Sequence, residues 1–241
     1  MQETLLGRPT TDVITEIAQT EEYLPPLGFY LTSYSYFESY SLEEDEMRRD
    51  SSKLYPLDRS QIITRSWLDD AKKRLELEYE YTGVISRVLC EYGFKHIPMV
   101  DFDFRNRTSD DLDTVKRVLT DLCLPNGYIA HSGGGFHYIG ARLMPEWGFA
   151  KALKNLRRLK KDSGVDKRWL AMSEEQGFFT LRLNNGPRKP QIPTIWAFHF
   201  LKGRSTEVGT PLGTSFTRYG AVVNQCSLFN QWELQQGNKT E

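Results

Sequence analysis

The chain has 241 residues, 39% of them hydrophobic and 26% charged, with a formal net charge of −1. That composition suits a globular protein with a substantial core, and no apolar run approaches the roughly 20 residues that a membrane-spanning helix needs. The stretch from Met1 to Arg8 lacks a basic segment followed by an apolar one, so the expectation is an intracellular, cytoplasmic protein with no membrane partner.

Along the first 60 residues the pattern predicts a short amphipathic helix (Asp12 to Gln19), one or two strands in the aromatic run Tyr23 to Tyr40, and an exposed acidic loop at Glu43 to Glu46. From Ser66 to Tyr92 apolar residues recur at spacings of three and four (Leu68, Ala71, Leu75, Ile85, Val88, Leu89) with no proline between them. This predicts one long helix, or two broken near Thr82-Gly83. Cys90, Cys123 and Cys226 are far apart and show no paired zinc or redox spacing, so they are expected to be buried apolar residues.

The order sharpens after residue 95. A strand is predicted over 97–104, then a helix opened by Ser109-Asp110-Asp111 and running to about Cys123. Leu124 to Gly127 reads as a turn, followed by a strand over 128–132, the run Gly133-Gly134-Gly135 and a strand over 136–143. Pro145 opens a helix that extends to about Asp162 and stops at Ser163-Gly164, and a last strand spans Phe178 to Leu183. The fold class expected is α+β: a ferredoxin/RRM-like β-α-β-β-α-β sheet over about 97–184, with a mixed α/β N-terminal lobe. Within a single domain of 1–241 this divides the chain into an N-terminal lobe (1–95), a catalytic unit (96–190) and a C-terminal extension (191–241).

Side chains alternate along a strand, so Val100, Phe102 and Phe104 face a core while Asp101 and Asp103 share the opposite face. Two like charges on one face repel, and aspartate is depleted in strands, so the pair calls for a compensating cation. Carboxylates so placed can bridge two divalent ions about 3.5–4 Å apart, an arrangement used in phosphoryl and nucleotidyl transfer. A solvated pair or a structural calcium site would look the same at this level. In Ser132 to His137 three glycines leave backbone N–H groups unhindered for a phosphate chain, and an imidazole follows at the start of the next strand. A flexible hairpin with a surface histidine is the plainer alternative.

Asp166 is a candidate for a third metal-binding carboxylate, with Glu174 and Glu175 as alternatives, and Arg182 in the last strand is a candidate phosphate clamp. The charge is polarised: residues 1–50 hold eleven acidic and three basic residues, a net of −8, which leaves +7 on the remainder. Lys151, Lys154, Arg158 and Lys161 follow one another at helical spacing along a basic face suited to the nucleic-acid backbone. Trp147, Trp169 and Trp196 are candidates for base stacking or for core.

The sequence of Val100-Asp101-Phe102-Asp103, then Ser132 to His137, then Val165-Asp166 ahead of Leu181-Arg182 resembles the archaeo-eukaryotic primase superfamily over about residues 95–190. The resemblance implies a metal-dependent, template-directed primase-polymerase. Asp101, Asp103 and Asp166 would be catalytic and metal-binding, with two Mg2+ or Mn2+ ions. Ser132, His137 and Arg182 would hold nucleotide phosphates. The implied partners are nucleoside triphosphates, a DNA template and primer, and a helicase or other replication proteins. The Ser132 to His137 segment carries no basic residue between its ends, unlike many members. A non-catalytic single-stranded nucleic-acid binder is the alternative; a rolling-circle initiator ranks lower, since none of the four histidines forms a His-x-His pair.

Overall fold

Two antiparallel sheets carry the site between them. The structure, a computed structural model, describes residues 5–19, 26–34, 53–64, 66–75, 80–104 and 108–201. In chain order the elements are α1 (Thr10–Gln19), β1 (Gly28–Tyr34), β2 (Leu54–Asp58), α2 (Arg59–Ile62), α3 (Trp67–Arg74), β3 (Tyr81–Ile85), β4 (Arg87–Cys90), β5 (Gly93–His96) and β6 (Met99–Asp103). There follow α4 (Ser109–Asp121), β7 (Gly127–His131), β8 (Gly135–Gly140), β9 (Met144–Pro145), α5 (Glu146–Arg157), a 3-10 turn (Lys161–Ser163), α6 (Lys167–Gln176), β10 (Thr180–Arg182) and β11 (Thr194–His199). None of the described helices is long and apolar enough to cross a membrane. The acidic loop at 43–46, Cys226 and the chain after Leu201 lie outside the described residues.

The small sheet has the order β11-β7-β8-β6. The α+β class holds, and β6, β8 and β7 stand in the order that a ferredoxin-like unit requires for its first, third and second strands. The fourth strand departs from that topology. The strand expected over 178–183 is β10, which pairs with β3 in the larger sheet. The fourth place is taken by β11, from the segment expected to be a C-terminal extension, and it sits on the far edge beside β7. The described residues up to Phe200 belong to one compact unit, and sheet pairing crosses the boundaries expected at 95 and 190.

The larger sheet runs β10-β3-β1-β4-β5-β9, with β2 also paired to β1. Its strands β3 and β4 stand where the second half of the long helix was expected over 66–92. Trp67 and Ala71 do bury one face of the short α3, but Tyr81–Ile85 is buried at every position because β3 lies between β1 and β10. A continuous apolar run fits a central strand as well as a buried helix, and only pairing decides between them. Gly83 is a point of close approach between strands: a Cβ there would lie 2.8 Å from Thr180 Cγ2.

Other boundaries follow local chemistry. Thr108, rather than Ser109, caps α4: its hydroxyl accepts from Asp111 N–H (3.3 Å) while Asp111 Oδ2 accepts from Thr108 N–H (2.7 Å). The helix opened by Pro145 ends at Arg157, five residues short of expectation, so Arg158 and Lys161 continue the basic row through a cap and a 3-10 turn rather than along one helix. Gly164 ends that turn with φ 73°. Cys90 is buried as expected, whereas Cys123 is exposed at a helix end with φ 52°.

One buried polar chain holds α5 to the larger sheet and had no sequence signal. The Phe179 N–H donates to Ser86 Oγ (3.0 Å), and Ser86 Oγ lies 2.9 Å from His96 Nδ1. Glu146 Oε2 lies 3.0 Å from His96 Nε2 and, as a carboxylate, only accepts, so Nε2 carries the proton of the neutral ring and Nδ1 accepts from Ser86 Oγ. Arg87 Nη2 closes the chain on Glu146 Oε1 (3.0 Å), and Phe149 stacks on the imidazole at 4.2 Å. Burial holds the His96 pKa below its ordinary value.

The glycine run has an exacting member. A Cβ at Gly135 would lie 1.8 Å from the Phe102 carbonyl oxygen, inside the β6–β8 ladder. Gly135→Ala is expected to lower unfolding free energy by about 2–3 kcal/mol, typical of overpacking against fixed backbone; urea titration followed by far-UV circular dichroism checks it.

Candidate active site

Asp101 and Asp103 project from one face of β6 while Val100 and Phe102 are buried on the other, the alternation that the pattern predicts; Met99, on the aspartate face, is buried at the start of the strand. The ladder with β8 places Asp101 opposite His137 and Asp103 opposite Gly135. His137 Nε2 stands 3.6 Å from Asp101 Oδ1, beyond hydrogen-bond length. On the other edge of β6 the segment 164–166 adds a short bridge. Asp103 N–H donates to the Gly164 carbonyl (2.8 Å) and Asp166 N–H to the Asp101 carbonyl (2.9 Å). Asp166 thereby joins the two strand aspartates. Its Oδ1 also caps α6 by accepting from the N–H groups of Arg168 (2.8 Å) and Trp169 (3.2 Å).

The electrostatics record this convergence. Burial pushes the Asp101 pKa up to about 7, helped by the negative charges of Asp166 and Asp103 and opposed by Lys189 and Arg182. The carboxylates acting on Asp101 are Asp166 and Asp103; Glu174, the alternative third acid, is instead 2.8 Å from Arg157 Nε. Burial pushes His137 down to about 3, aided by the positive charges of Arg182, Lys189 and His131, so its ring is neutral at physiological pH. His137 Nδ1 is buried without a hydrogen-bond partner among the described residues.

Among the described residues no three His, Cys, Asp or Glu side chains form a ready-made metal cluster. The donor set nevertheless suits a hard cation. Its charged donors are carboxylates, on a ledge where Asp101 keeps 26% of its side chain exposed and where burial, then the negative charges of Asp166 and Asp103, raises its pKa. Mg2+ is commonly held by one or two carboxylates, with waters and substrate phosphates completing its shell, so an open ledge fits it better than a closed cage would.

Ser132 and Arg182 serve the site through structure. Arg182 is 3% exposed. Its Nη1 donates to the carbonyls of Asn184 and Gln191, the latter at 2.9 Å, and its Nη2 donates to the Ser132 carbonyl. The guanidinium expected to clamp phosphate is thus a buried brace from β10 in the larger sheet to the end of β7 in the small one. Ser132 N–H donates to the Gly135 carbonyl (3.0 Å), closing the glycine turn.

The cation at that turn is Lys189, which sequence reasoning missed although Arg188-Lys189 closes the segment after Arg182. A Cβ at Gly134 would lie 2.3 Å from Lys189 Nζ, so the glycine leaves the space that the ammonium occupies. Lys151, Lys154, Arg158 and Lys161 are exposed on the outer surface of α5 and the turn after it. Trp169 is core, stacked on Phe179 at 5.0 Å, whereas Trp147 and Trp196 are exposed.

An α+β protein with an acid ledge facing a glycine-rich turn is the class that these features define. The family model for archaeo-eukaryotic primase 1D-like proteins matches residues 60–194, a span that holds Asp101, Asp103, Ser132, His137, Asp166, Arg182 and Lys189. That is more than half the chain, and the protein belongs to this family of primase-related nucleotidyltransferases. No curated protein and no solved structure matches it.

The raised Asp101 pKa carries a stability consequence. Between the ordinary 3.8 and about 7 the folded state binds a proton that the unfolded chain has released. Asp101 therefore destabilises the fold progressively as pH rises through that window, and fully above it. Asp101→Asn is expected to stabilise the protein by about 1–2 kcal/mol at pH 8, after allowance for solvent screening, and to lose that advantage below about pH 4. Thermal unfolding across pH checks both limits.

Proposed function

We propose that the protein is a metal-dependent, template-directed nucleotidyltransferase of the primase-polymerase type, extending DNA or RNA strands inside the cell in replication or repair. The observation that carries this reading is the main-chain pairing that sets Asp166 alongside Asp101 at the edge of β6, with Asp103 on the same strand face and His137 across the ladder from Asp101. Family membership supports the same chemistry.

Asp101, Asp103 and Asp166 would hold Mg2+ or Mn2+, which when bound activates an attacking 3′-hydroxyl and stabilises charge on the phosphates. The protein's own groups do the positioning. Lys189 presents an ammonium over Gly134, and the Ser132–Gly135 turn lies beside it. His137, kept neutral, can donate one hydrogen bond to a phosphate oxygen without adding charge. Arg182 keeps the two halves of this cradle in register and contributes a buried positive field. Held in line, the hydroxyl and α-phosphate gain most of their acceleration from orientation and preorganised charge. The exposed row Lys151, Lys154, Arg158 and Lys161 supplies backbone affinity for template or primer, without reading sequence.

Incorporation of labelled dNTPs and NTPs on primed and unprimed templates, with Mg2+ or Mn2+, tests the reading. Asp101→Ala and Asp103→Ala are each expected to cut incorporation at least about 1,000-fold while the fold persists, since several kcal/mol of charge stabilisation is lost. Wild-type turnover in either variant removes the site. The lack of a ready-made acid cluster among the described residues favours the rival reading, a non-catalytic single-strand binder. A binder would hold single-stranded DNA without metal and incorporate nothing.

Replacing Lys151, Lys154, Arg158 and Lys161 together by alanine is expected to weaken single-strand binding. The slope of log K against log salt should fall by about 3, near 0.7 for each phosphate that is no longer neutralised. Fluorescence anisotropy at several salt concentrations measures that slope.

A further inference from the structure

Lys189 reaches the site from a surface turn, and the group that fixes the turn lies outside the site, in the larger sheet. Gly186 and Lys189 exchange both main-chain hydrogen bonds, at 3.0 and 3.1 Å, so residues 186–189 close on themselves. The turn rests on Tyr81. The phenolic oxygen accepts from the N–H groups of both Arg188 (2.9 Å) and Lys189 (3.2 Å). A Cβ at Gly186 would lie 2.5 Å from Tyr81 Cε1, so the turn lies flat against the ring. The ring in turn is buried, stacked on Tyr34 with centroids 6.0 Å apart, with the Arg182 guanidinium 6.0 Å from its centroid.

Asn184 fastens the near end of the same segment. Its Oδ1 accepts from Thr82 N–H (2.7 Å) and its Nδ2 donates to the Glu80 carbonyl (2.9 Å). The segment from Arg182 to Lys189 is thus tied to β3 at both ends, and the Lys189 side chain extends from it toward Gly134.

We infer that Tyr81 is a positioning residue: by anchoring the 186–189 turn through its hydroxyl it holds the Lys189 ammonium where the phosphates of an incoming nucleoside triphosphate bind. This rests on the reading of the site as a nucleotidyltransferase centre. Tyr81→Phe keeps the ring, the stack and the packing while removing the oxygen through which the Arg188 and Lys189 N–H groups tie the turn to β3; the Lys189 N–H keeps its bond to Gly186 within the turn.

Calorimetric titration of the full chain with dATP and with ATP, in Mg2+, tests the inference on wild type, Lys189→Ala, Tyr81→Phe and the double variant. Lys189→Ala is expected to weaken binding about 10-fold or more, the scale of a charge-assisted contact. Tyr81→Phe should weaken it roughly 3- to 10-fold. The double variant should bind no more weakly than Lys189→Ala alone, because the tyrosine acts only through the lysine. A loss of fold stability alone would not produce that non-additivity. Binding by Tyr81→Phe equal to wild type, or additive losses in the double variant, overturns the inference. If wild type binds neither nucleotide, or Lys189→Ala binds as wild type does, the site reading itself fails and takes the inference with it. Gly186→Ala, which presses on the same ring from the turn side, is expected to reproduce the Tyr81→Phe effect, and keeps the question answerable should Tyr81→Phe fold poorly.

Discussion

Two main-chain hydrogen bonds, Asp103 N–H to the Gly164 carbonyl and Asp166 N–H to the Asp101 carbonyl, tie the segment 164–166 to the outer edge of β6. Everything the site can do depends on that short bridge. Three carboxylates repel one another and would separate if left on mobile side chains. Here the backbone holds them, with Asp101 and Asp103 on one pleat and Asp166 on the adjacent bridge. Gly164 makes the geometry possible, since its φ of 73° suits glycine and a Cβ there would run into the Phe104 ring. The bridge also covers a sheet edge that would otherwise offer unpaired N–H and C=O groups.

The second organising feature is the traffic between the sheets. Arg182 belongs to the larger sheet, yet it donates to the Ser132 carbonyl at the end of β7. The chain then turns through Lys189 and returns as β11 to complete the small sheet. The crossing brings cations from one half against acids from the other. Lys189 and Arg182 lower the cost of ionising Asp101 but leave its pKa high, and the same two charges help keep His137 neutral. Both shifts begin with burial, which disfavours the charged form of either group, and the neighbouring charges then modify them.

Legibility from sequence followed the range of the interactions involved. The strand 99–103 with its two outward acids could be read because side-chain alternation is a local property. The helix opened by Pro145 was legible for the same reason, although it ends at Arg157 and Gly164 closes only the 3-10 turn that follows. The first part of the helix expected over 66–92 is α3, but the second part is strand: Tyr81–Ile85 is buried on both faces, and its pairing partners β1 and β10 are distant in the chain. Arg182 was legible as a site cation but not as a brace, since the carbonyls that engage it belong to three other residues. Lys189 was missed because nothing near it in sequence shows that Tyr81 will hold its turn.

The amino-acid sequence by itself determined the ledge, the glycine-rich turn and the α+β class, each encoded within a few consecutive residues by pleat alternation, by missing Cβ atoms or by capping chemistry. Only the tertiary structure decided that β10 pairs in the larger sheet while β11 joins the small one, that Asp166 rather than Glu174 acts on Asp101, and that Lys189 stands over Gly134 while Arg182 braces the two sheets. Those outcomes rest on pairings between residues from about fifty to more than a hundred positions apart, whose free energy comes from burial and main-chain hydrogen bonds that form only once both sheets are in place.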